Sequence, residues 1–420
     1  MERPPNPYAI LRNWDYLFYL TGRFIASFGQ QMLTVAVGWE LYERTRSSLA
    51  LGLVGLTAFL PMVVMTLPAG HVADTRERKK VIIAMQAVLA IMSLGLALIS
   101  WRQAPVLWMY LCLSVAGVAR TFLWSASASF LPQLVERKEF PLAMTWSAST
   151  FQFSAVTGPA AGGALIALTH SAVVVYLANA VASLLCLGMV WLVRAHHKIP
   201  PKEEFSLKTV LGGFHFVFGH RVILGVITLD MFAVLFGGAT ALLPVYAKDI
   251  LGVGPQGLGL LQAALPVGAV TCALLMAHRP PMHKAGRSMI CAVLIFGLAT
   301  IGFGCSKWFW LSLLMLFLCG FADNISVIVR HTLVQLLTPD AMRGRVSSVN
   351  NLFIGTSNEL GGFESGLVSQ YFGPVFSVVS GGVATILVVM AVAWYWPEIP
   401  RFGQLVQPEE SPAEAEPKPL

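Results

Sequence analysis

Charged residues are scarce in this chain. Only 12% of its 420 residues are Asp, Glu, Lys or Arg, whereas 56% are hydrophobic. Soluble domains average about 25% charged residues. Too few charges are present to cover a soluble surface, so most of the chain must face lipid. The composition therefore predicts a polytopic membrane protein.

Sequence motifs of catalysis and of cofactor binding are also missing. There is no P-loop, HExxH or GxSxG pattern, and histidines such as His71, His196 and His220 fall at predicted loops. The six cysteines lie in apolar runs without a CxxC pair, which predicts packing residues rather than disulfides or metal ligands. We therefore predict no enzymatic activity, no catalytic residue, no metal and no cofactor. A multi-spanning membrane enzyme or receptor is the competing class.

The positive charge has a membrane explanation. The net charge is +7, and the bases stand in short loops beside apolar runs, as anionic lipid headgroups favour. This placement argues against a nucleic-acid partner. The first apolar run is too long for a cleavable signal peptide and lacks a small-residue cleavage site. Because Lys and Arg concentrate in the loops on the side of the N-terminus, we expect both termini in the cytoplasm.

The apolar runs predict an all-α fold. At about 20 residues per crossing, we count twelve transmembrane helices. They are predicted at 16–41, 50–72, 81–100, 105–128, 142–168, 173–193, 222–246, 255–277, 288–305, 310–332, 347–369 and 374–396.

An internal repeat divides these helices into two sets of six. The segment Leu131-Pro-Gln-Leu-Val-Glu follows the fourth helix, and Leu333-Val-Gln-Leu-Leu-Thr follows the tenth. Such a repeat predicts two pseudo-symmetric six-helix bundles, at 1–193 and 222–396.

Two further segments complete the predicted organisation. Apolar residues recur at helical spacing within 194–221, which predicts a cytoplasmic linker with an interfacial helix on the inner leaflet. A regulatory or partner site is the alternative for this segment. The tail at 397–420 is rich in Pro, Glu and Ala, and we predict that it is disordered in the cytoplasm.

A short charged segment, Gly70 to Lys80, separates the second and third helices. Gly70 would allow close helix approach, Asp74 could cap the next helix, and bases including Arg78 and Lys79 would meet the headgroups. An ordinary positive-inside loop is the alternative. The order of glycine, acid and bases resembles the signature between the second and third helices of the major facilitator superfamily of secondary transporters.

A second element carries the same resemblance. The fifth helix contains Gly158-Pro159-Ala160-Ala161-Gly162-Gly163, which is similar to the GPxxGG end of the superfamily's antiporter motif. Proline removes a backbone hydrogen bond from the helix, and small residues let neighbouring backbones approach. Both features suit a helix that must rock.

Three segments restrict the resemblance to one branch of the superfamily. They are Trp39-Glu-Leu-Tyr-Glu-Arg-Thr, Leu243-Pro-Val-Tyr-Ala-Lys-Asp-Ile-Leu and Met342-Arg-Gly-Arg-Val. They look like the branch that contains the enterobactin exporter and macrolide efflux proteins. This resemblance implies a protein of the bacterial inner membrane that exports small amphipathic molecules, siderophore-like or drug-like, by proton antiport. We expect a monomer, and an importer or a flippase for lipid-like molecules is the alternative.

Ionisable residues inside the helices are the candidates for function, because each costs about 2.5 to 3.5 kcal/mol at the bilayer centre. The N-terminal half has the bases Arg23 and Arg120, and acids dominate the C-terminal half. The candidates for proton coupling are Asp230, Asp323 and Glu359. By the repeat, Arg120 falls at a position equivalent to Asp323, so we expect an attraction across a central cavity. A static ion pair within one half is the alternative.

Polar stripes suggest where the substrate binds. In the first helix Gln30, Gln31 and Thr34 share a face with Arg23. Ser114 and Thr121 form a similar stripe with Arg120 in the fourth helix. We predict that these uncharged residues line the substrate cavity, with helix packing as the alternative.

The eleventh helix contains two acids with different predicted roles. Glu359 and Glu364 are five residues apart, so they point about 140° apart around the helix. We predict that Glu359 faces the cavity, and that Glu364 packs or forms an outer gate through a bond to a neighbouring helix. A related hypothesis is that Asp74 latches the two halves in an outward-facing state, near the N-terminus of this helix.

Overall fold

The computed structural model describes residues 8–194, 207–279, 282, 284–339, 342–401 and 403, and none of these lies in a β-strand. Twelve long helices confirm the all-α prediction. Ten of them are long and apolar enough to cross a membrane, and α1 and α11 are as long but more polar. The helices are α1 (Trp14–Thr45), α2 (Ser48–Thr75), α3 (Arg78–Trp101), α4 (Val106–Leu134), α5 (Phe140–Thr169), α6 (Ala172–Leu192), α7 (Arg221–Ile250), α8 (Gly254–Ala277), α9 (Ala285–Cys305), α10 (Phe309–Leu337), α11 (Arg343–Phe372) and α12 (Pro374–Tyr395).

The helices pack as two six-helix halves. In the first half α1 packs on α5 and α6, α3 packs on α4 and α6, and α2 packs on α4. In the second half α10 packs on α8 and α9, and α12 packs on α7 and α9. The main contacts between halves are α5 with α8 and α2 with α11. The repeat exchanges these two contacts, as expected of pseudo-symmetric bundles.

The hydrophobic cores show where the halves are joined. We call the face where α1 begins and α6 ends the terminal face, and the face where α1 ends and α2 begins the distal face. Towards the distal face one buried cluster spans both halves, from Trp39 and Leu41 of α1 to Leu242 and Tyr246 of α7. Towards the terminal face each half has its own separate cluster. The halves therefore share a core only towards the distal face.

Glycines bring the two halves into backbone contact. A methyl group at Gly162 would lie 2.9 Å from the Met32 backbone of α1, and one at Gly163 would lie 3.0 Å from Gly259 Cα of α8. The GPxxGG element thus sits where α5 meets both α1 and α8. The α2 and α11 backbones meet in the same way at Gly366. Only small residues permit such approach.

The linker helix, Leu207–Gly219, forms where helical periodicity predicts it. Its Val217 is fully buried in a cluster with Val346 and Val349 of α11, so this face of the helix packs on protein. Phe218 is exposed and remains free to meet headgroups. Residues 195–206 lie outside the described part.

The start of the tail also differs from the prediction. Glu398–Arg401 forms a helical turn, and Ile399 is fully buried beneath the C-terminal half. Glu398 pairs with Arg221 at 3.5 Å. The disorder predicted from residue 397 is therefore wrong up to Arg401, because one apolar residue anchors the turn. Residues 404–420 lie outside the described part.

We predict that Gly163→Leu destabilises the protein, because the added side chain must push α5 from α8. Overpacking of this kind costs about 1–3 kcal/mol. Thermal unfolding of the purified protein in detergent measures the effect. The matched control is Gly188→Leu in α6, since a methyl group there would meet nothing within 4 Å. Equal melting temperatures for the two variants would contradict the close contact.

Candidate functional site

The charged segment between α2 and α3 differs in detail from the prediction. The α2 helix continues to Thr75, so Asp74 lies in its last turn, exposed, and does not cap the next helix. A methyl group at Gly70 would meet nothing within 4 Å, so the expected close approach is not made. The bases instead bind carbonyl groups of their own half. Arg78 donates to the Ser129 carbonyl at 2.9 Å and Lys79 to the Val193 carbonyl at 2.6 Å.

A network of charges joins the two halves at the distal face. Arg46, just after α1, pairs with Asp249 at the end of α7 at 3.0 Å, and Lys248 pairs with Glu43 at 2.9 Å. The Tyr42 hydroxyl donates to the Asp249 carboxylate. We call these five residues the distal clasp. Most of its charged groups are partly exposed, so each pair contributes only about 0.2–1 kcal/mol.

Hydroxyl and amide groups extend this connection to α2 and α11. Ser47 donates to the Gln370 side chain at 2.8 Å, and Ser369 donates to the Ser48 hydroxyl at 2.9 Å. The distal face is thus bridged on both sides of the pseudo-symmetry axis. Such contacts between halves are the kind that must break if this face is to open.

The clasp was not predicted from the sequence. Four of its five residues lie in two segments that carry the family resemblance, Trp39 to Thr45 and Leu243 to Leu251. The available signal was charge: Glu43 and Arg46 end the first helix, and Lys248 and Asp249 end the seventh. Opposite charges at pseudo-equivalent helix ends on one face favour pairing.

Asp230 of α7 forms an ion pair with Arg330 of α10. Both side chains are buried, at 5% and 2% exposure, and both helices belong to the C-terminal half. Asp230 therefore forms an ion pair within one half, which is the alternative to an attraction across the central cavity. A buried pair of this kind neutralises its own charges and leaves no acid free.

Arg120 of α4 faces a different acid from the one expected. Among the described residues it forms no direct ion pair, and the acid close enough to affect its charge is Glu359 on α11, across the boundary between the halves. Between them passes α2: a methyl group at Gly55 would lie 2.8 Å from Glu359 Oε2, and one at Gly117 would lie 3.2 Å from the Ala58 carbonyl. The expectation from the repeat that Arg120 lies opposite Asp323 is therefore wrong, and the acid nearest in electrostatic terms belongs to α11.

Asp323 instead lies in a cavity inside the C-terminal half. The cavity has a volume of about 110 Å³ and is lined by five helices, α7 to α11. Within the described residues the Asp323 carboxylate has no ion-pair partner. It stands midway along α10, where an ionised group is most costly. The lining residues are Val234, Gly237, Gly238, Ala239, Thr240, Leu265, Phe296, Thr300, Phe303, Leu316, Cys319, Asp323 and Asn358.

A break in α7 creates this space. Its regular helix ends at Phe236, and a 3-10 turn, Ala239–Leu242, follows the pair Gly237 and Gly238. A side chain at Gly238 would collide with the Gly361 carbonyl, since a methyl group there would lie 2.5 Å from its oxygen. Glycine is therefore required at this contact, where the broken segment of α7 packs on the α11 backbone.

The remaining predicted residues lie at several places. Arg23 donates to the Tyr19 hydroxyl at 3.2 Å, lies over that ring, and has no carboxylate partner among the described residues. Gln31 packs on Gly158, whose added methyl group would lie 2.5 Å from Gln31 Cβ. Gln30 and Ser114 are half-buried.

Two hydroxyls and one acid bind within their own helices. Thr34 donates to the Gln30 carbonyl at 3.1 Å, and Thr121 donates to the Gly117 carbonyl at 3.0 Å. Glu364 accepts from Ser365 of the same helix at 3.5 Å, and not from a neighbouring helix as predicted. These bonds leave the predicted substrate and gate roles without direct support. Across the described ranges, no three His, Cys, Asp or Glu residues come together as a metal site.

Two halves joined at one face and charges held between them define a membrane transporter. The family model of the Major Facilitator Superfamily matches residues 19–355, and the chain belongs to this family. It is 28% identical to the enterobactin exporter EntS of Escherichia coli O1:K1 / APEC over 386 residues, which is 91% of this chain and 92% of that relative. The EntS protein of Citrobacter koseri matches with the same identity and coverage.

Solved structures share the fold at lower identity. A bacterial homologue of the human lysosomal transporter Spinster, in an inward-facing and occupied conformation, superposes with a TM-score of 0.73 at 14% identity, covering 95% of this chain and 98% of that one. The nucleoside transporter NupG superposes with a TM-score of 0.72 at 14% identity, covering 91% and 100%. At this identity the likeness concerns the fold alone.

We predict that Asp230→Asn strongly destabilises the protein, because it leaves the buried Arg330 guanidinium uncompensated. Such a change costs about 3–5 kcal/mol. Thermal unfolding in detergent tests it, with Asp323→Asn as the control that removes an unpaired carboxylate. The double change of Asp230→Leu with Arg330→Met should recover most of the loss. Equal melting temperatures for the two single variants would contradict a special role for the pair.

Proposed function

We propose that this protein exports a small amphipathic molecule across the bacterial inner membrane in exchange for protons. The terminal face is then cytoplasmic, which places both termini and most of the basic loops inside. Similarity to the EntS exporters over nearly the whole chain supports export. The function named for these relatives supports a siderophore-like substrate, and a drug-like substrate is the alternative that the sequence resemblance to macrolide efflux proteins implies. One chain contains both halves, so a monomer suffices.

The placement of Glu359 and Arg120 on opposite sides of α2 is the observation that carries proton coupling. Glu359 lies against Gly55 and the helix of Arg120 lies against Ala58. The two residues belong to different halves, so rocking of the halves would change the distance between them. Near Arg120 the carboxylate is favoured, and away from it a buried carboxyl favours its proton. The same movement therefore loads and releases one proton. Asp323 is the second candidate, and Asp230 the weakest, because Arg330 already neutralises it.

Proteoliposomes test this function. Purified protein is reconstituted with a catecholate siderophore or a macrolide, and substrate movement is followed with and without an imposed pH gradient. We expect uphill movement only with the gradient, and loss of that movement by at least tenfold in Glu359→Gln. The matched control is Glu364→Gln in the same helix, which should keep gradient-driven transport while lowering thermal stability.

Three results would contradict the proposal. Gradient-driven transport that survives in Glu359→Gln would exclude this carboxyl as the coupling group. Loss of transport in a stable Glu364→Gln protein would mean that the coupling carboxyl is Glu364, on the other side of α11, and not Glu359. Substrate movement in the direction of uptake would favour the importer.

Alternating access requires that the distal face open while the terminal face closes. The distal clasp suits this role, since several weak, exposed pairs hold the face shut without locking it. Asp74 is exposed, so it is free to approach the start of α11 when the terminal face closes. There the helix dipole favours an anion. In this proposal the distal clasp forms when the distal face is closed, and the contact of Asp74 with α11 forms when the terminal face is closed.

Spin labels on the distal loops of the two halves test this exchange. In a background without native cysteines, Arg102→Cys and Lys307→Cys carry the labels. Asp249→Asn should lengthen the distance between labels by weakening the clasp, and Asp74→Asn should shorten it or leave only the short distance. Glu136→Gln, which removes an exposed pair within one half, is the control. A distance that Asp249→Asn does not change would contradict the clasp.

A further inference from the structure

The cavity in the C-terminal half has a chemistry that proton coupling through Glu359 does not use. Its carboxylate, Asp323, has no ion-pair partner in the described part of the chain. Its cost in the membrane must be offset by a proton or by a cation that enters the cavity. Thr240 and Asn358, which also line the space, are exposed. The cavity is therefore open to a ligand from outside the bundle.

The other lining groups select among cations. Two aromatic side chains of α9, Phe296 and Phe303, contribute to the wall together with Leu265 and Leu316. Aromatic faces attract cations that carry little water, and they suit quaternary or alkylated ammonium groups. Thr240 and Asn358 also line the cavity, and their side chains carry oxygens that can accept from N–H groups. Mixed apolar and acidic walls of this kind favour an organic cation over a hydrated inorganic ion.

The carbonyl groups freed by the break in α7 do not supply a site for an alkali cation. The Val234 and Leu235 carbonyls face Gly361 of α11, where a methyl group would lie 2.9 and 2.7 Å from their oxygens. The Gly237 carbonyl accepts from the Ala239 amide at 2.7 Å. Unwound helices bind sodium through such carbonyls, and here they are directed or bonded elsewhere.

Size limits the ligand group further. The cavity measures about 110 Å³, whereas a cavity of about 150 Å³ holds benzene. Space of this size fits roughly four or five non-hydrogen atoms, by comparison with the six of benzene. That is the size of a trimethylammonium group or of a short alkylamine.

We propose that this cavity binds the ammonium group of an organic cation, with Asp323 as its counter-ion and Phe296 and Phe303 against its methyl or methylene groups. The inference rests on the proposed export function only in naming that cation as part of the cargo. Binding itself needs no gradient and no transport. The rest of an amphipathic cation extends past Asn358 and Thr240 towards the space between the halves.

Tetramethylammonium and its neutral isostere tert-butanol are the probes. Binding to the full-length protein in detergent is measured by calorimetry, and thermal protection is measured in parallel. Tetramethylammonium should bind at least tenfold more tightly than tert-butanol and should raise the melting temperature. Sodium at the same concentration and ionic strength should give no such protection.

Variants locate the site. Asp323→Asn keeps the shape of the side chain and should weaken tetramethylammonium binding at least tenfold, without changing the binding of tert-butanol. Phe296→Leu keeps an apolar wall and should weaken only the cation, several-fold. Glu364→Gln removes an acid of the same half outside the cavity and should leave cation binding unchanged.

Three kinds of outcome would overturn the inference. Equal binding of the two probes would mean that charge is not recognised. Tetramethylammonium binding that survives in Asp323→Asn, or that falls equally in Glu364→Gln, would place the cation elsewhere. Protection by sodium alone would make this an inorganic cation site. Failure of export with intact cation binding would overturn only the proposed function, and export without cation binding would overturn only this inference.

Discussion

The cost of an ionised group away from water decides how this protein is built. Each acid placed inside the bundle must meet a base, a proton or a ligand. Asp230 meets Arg330 within one half, and Glu40 meets Arg44 at 2.5 Å within α1. These two pairs are permanent features of their own half. Glu359 lies within electrostatic range of a base of the other half, and Asp323 has no ion-pair partner among the described residues. The groups around each acid therefore determine whether it forms a fixed ion pair or remains available for a proton or a ligand.

The strength of the contacts between halves follows a similar logic. Glycine contacts at the α5–α8 and α2–α11 crossings bring backbones together without side chains that interlock, so small changes of angle cost little. The distal clasp adds exposed charges that water can replace. By contrast, the cores within each half are fully buried. One buried cluster also joins the halves towards the distal face, so opening of that face must separate apolar surface as well as the clasp. Separate cores within the halves and a shared core at one face are what a rocking mechanism needs.

The sequence predicted the fold well because the hydrophobic requirement of the bilayer is local. Twelve apolar runs correspond to twelve long helices, but some ends were misjudged, as at Asp74, which lies inside α2, and the break in α7 after Phe236 was not predicted. The partners of the charged residues inside the bundle were harder to predict, because they depend on helix rotation and crossing angle. Arg120 was expected opposite Asp323 and faces Glu359. Likewise, Thr121 bonds to its own helix, a choice that periodicity cannot distinguish from a cavity position.

The arrangement of α11 links the two acids that remain available. Asn358 lines the cavity that contains Asp323, and the next residue, Glu359, is turned by about 100° around the helix towards Gly55 and the base of the other half. A group that fills the cavity would therefore press on the same helical turn that carries Glu359, the carboxyl proposed for proton coupling. Movement of this turn would change the distance from Glu359 to Arg120, and a carboxyl nearer to a base binds its proton less tightly. Under the two proposals above, cargo and proton would be coupled through one turn of α11, without a longer chain of interactions.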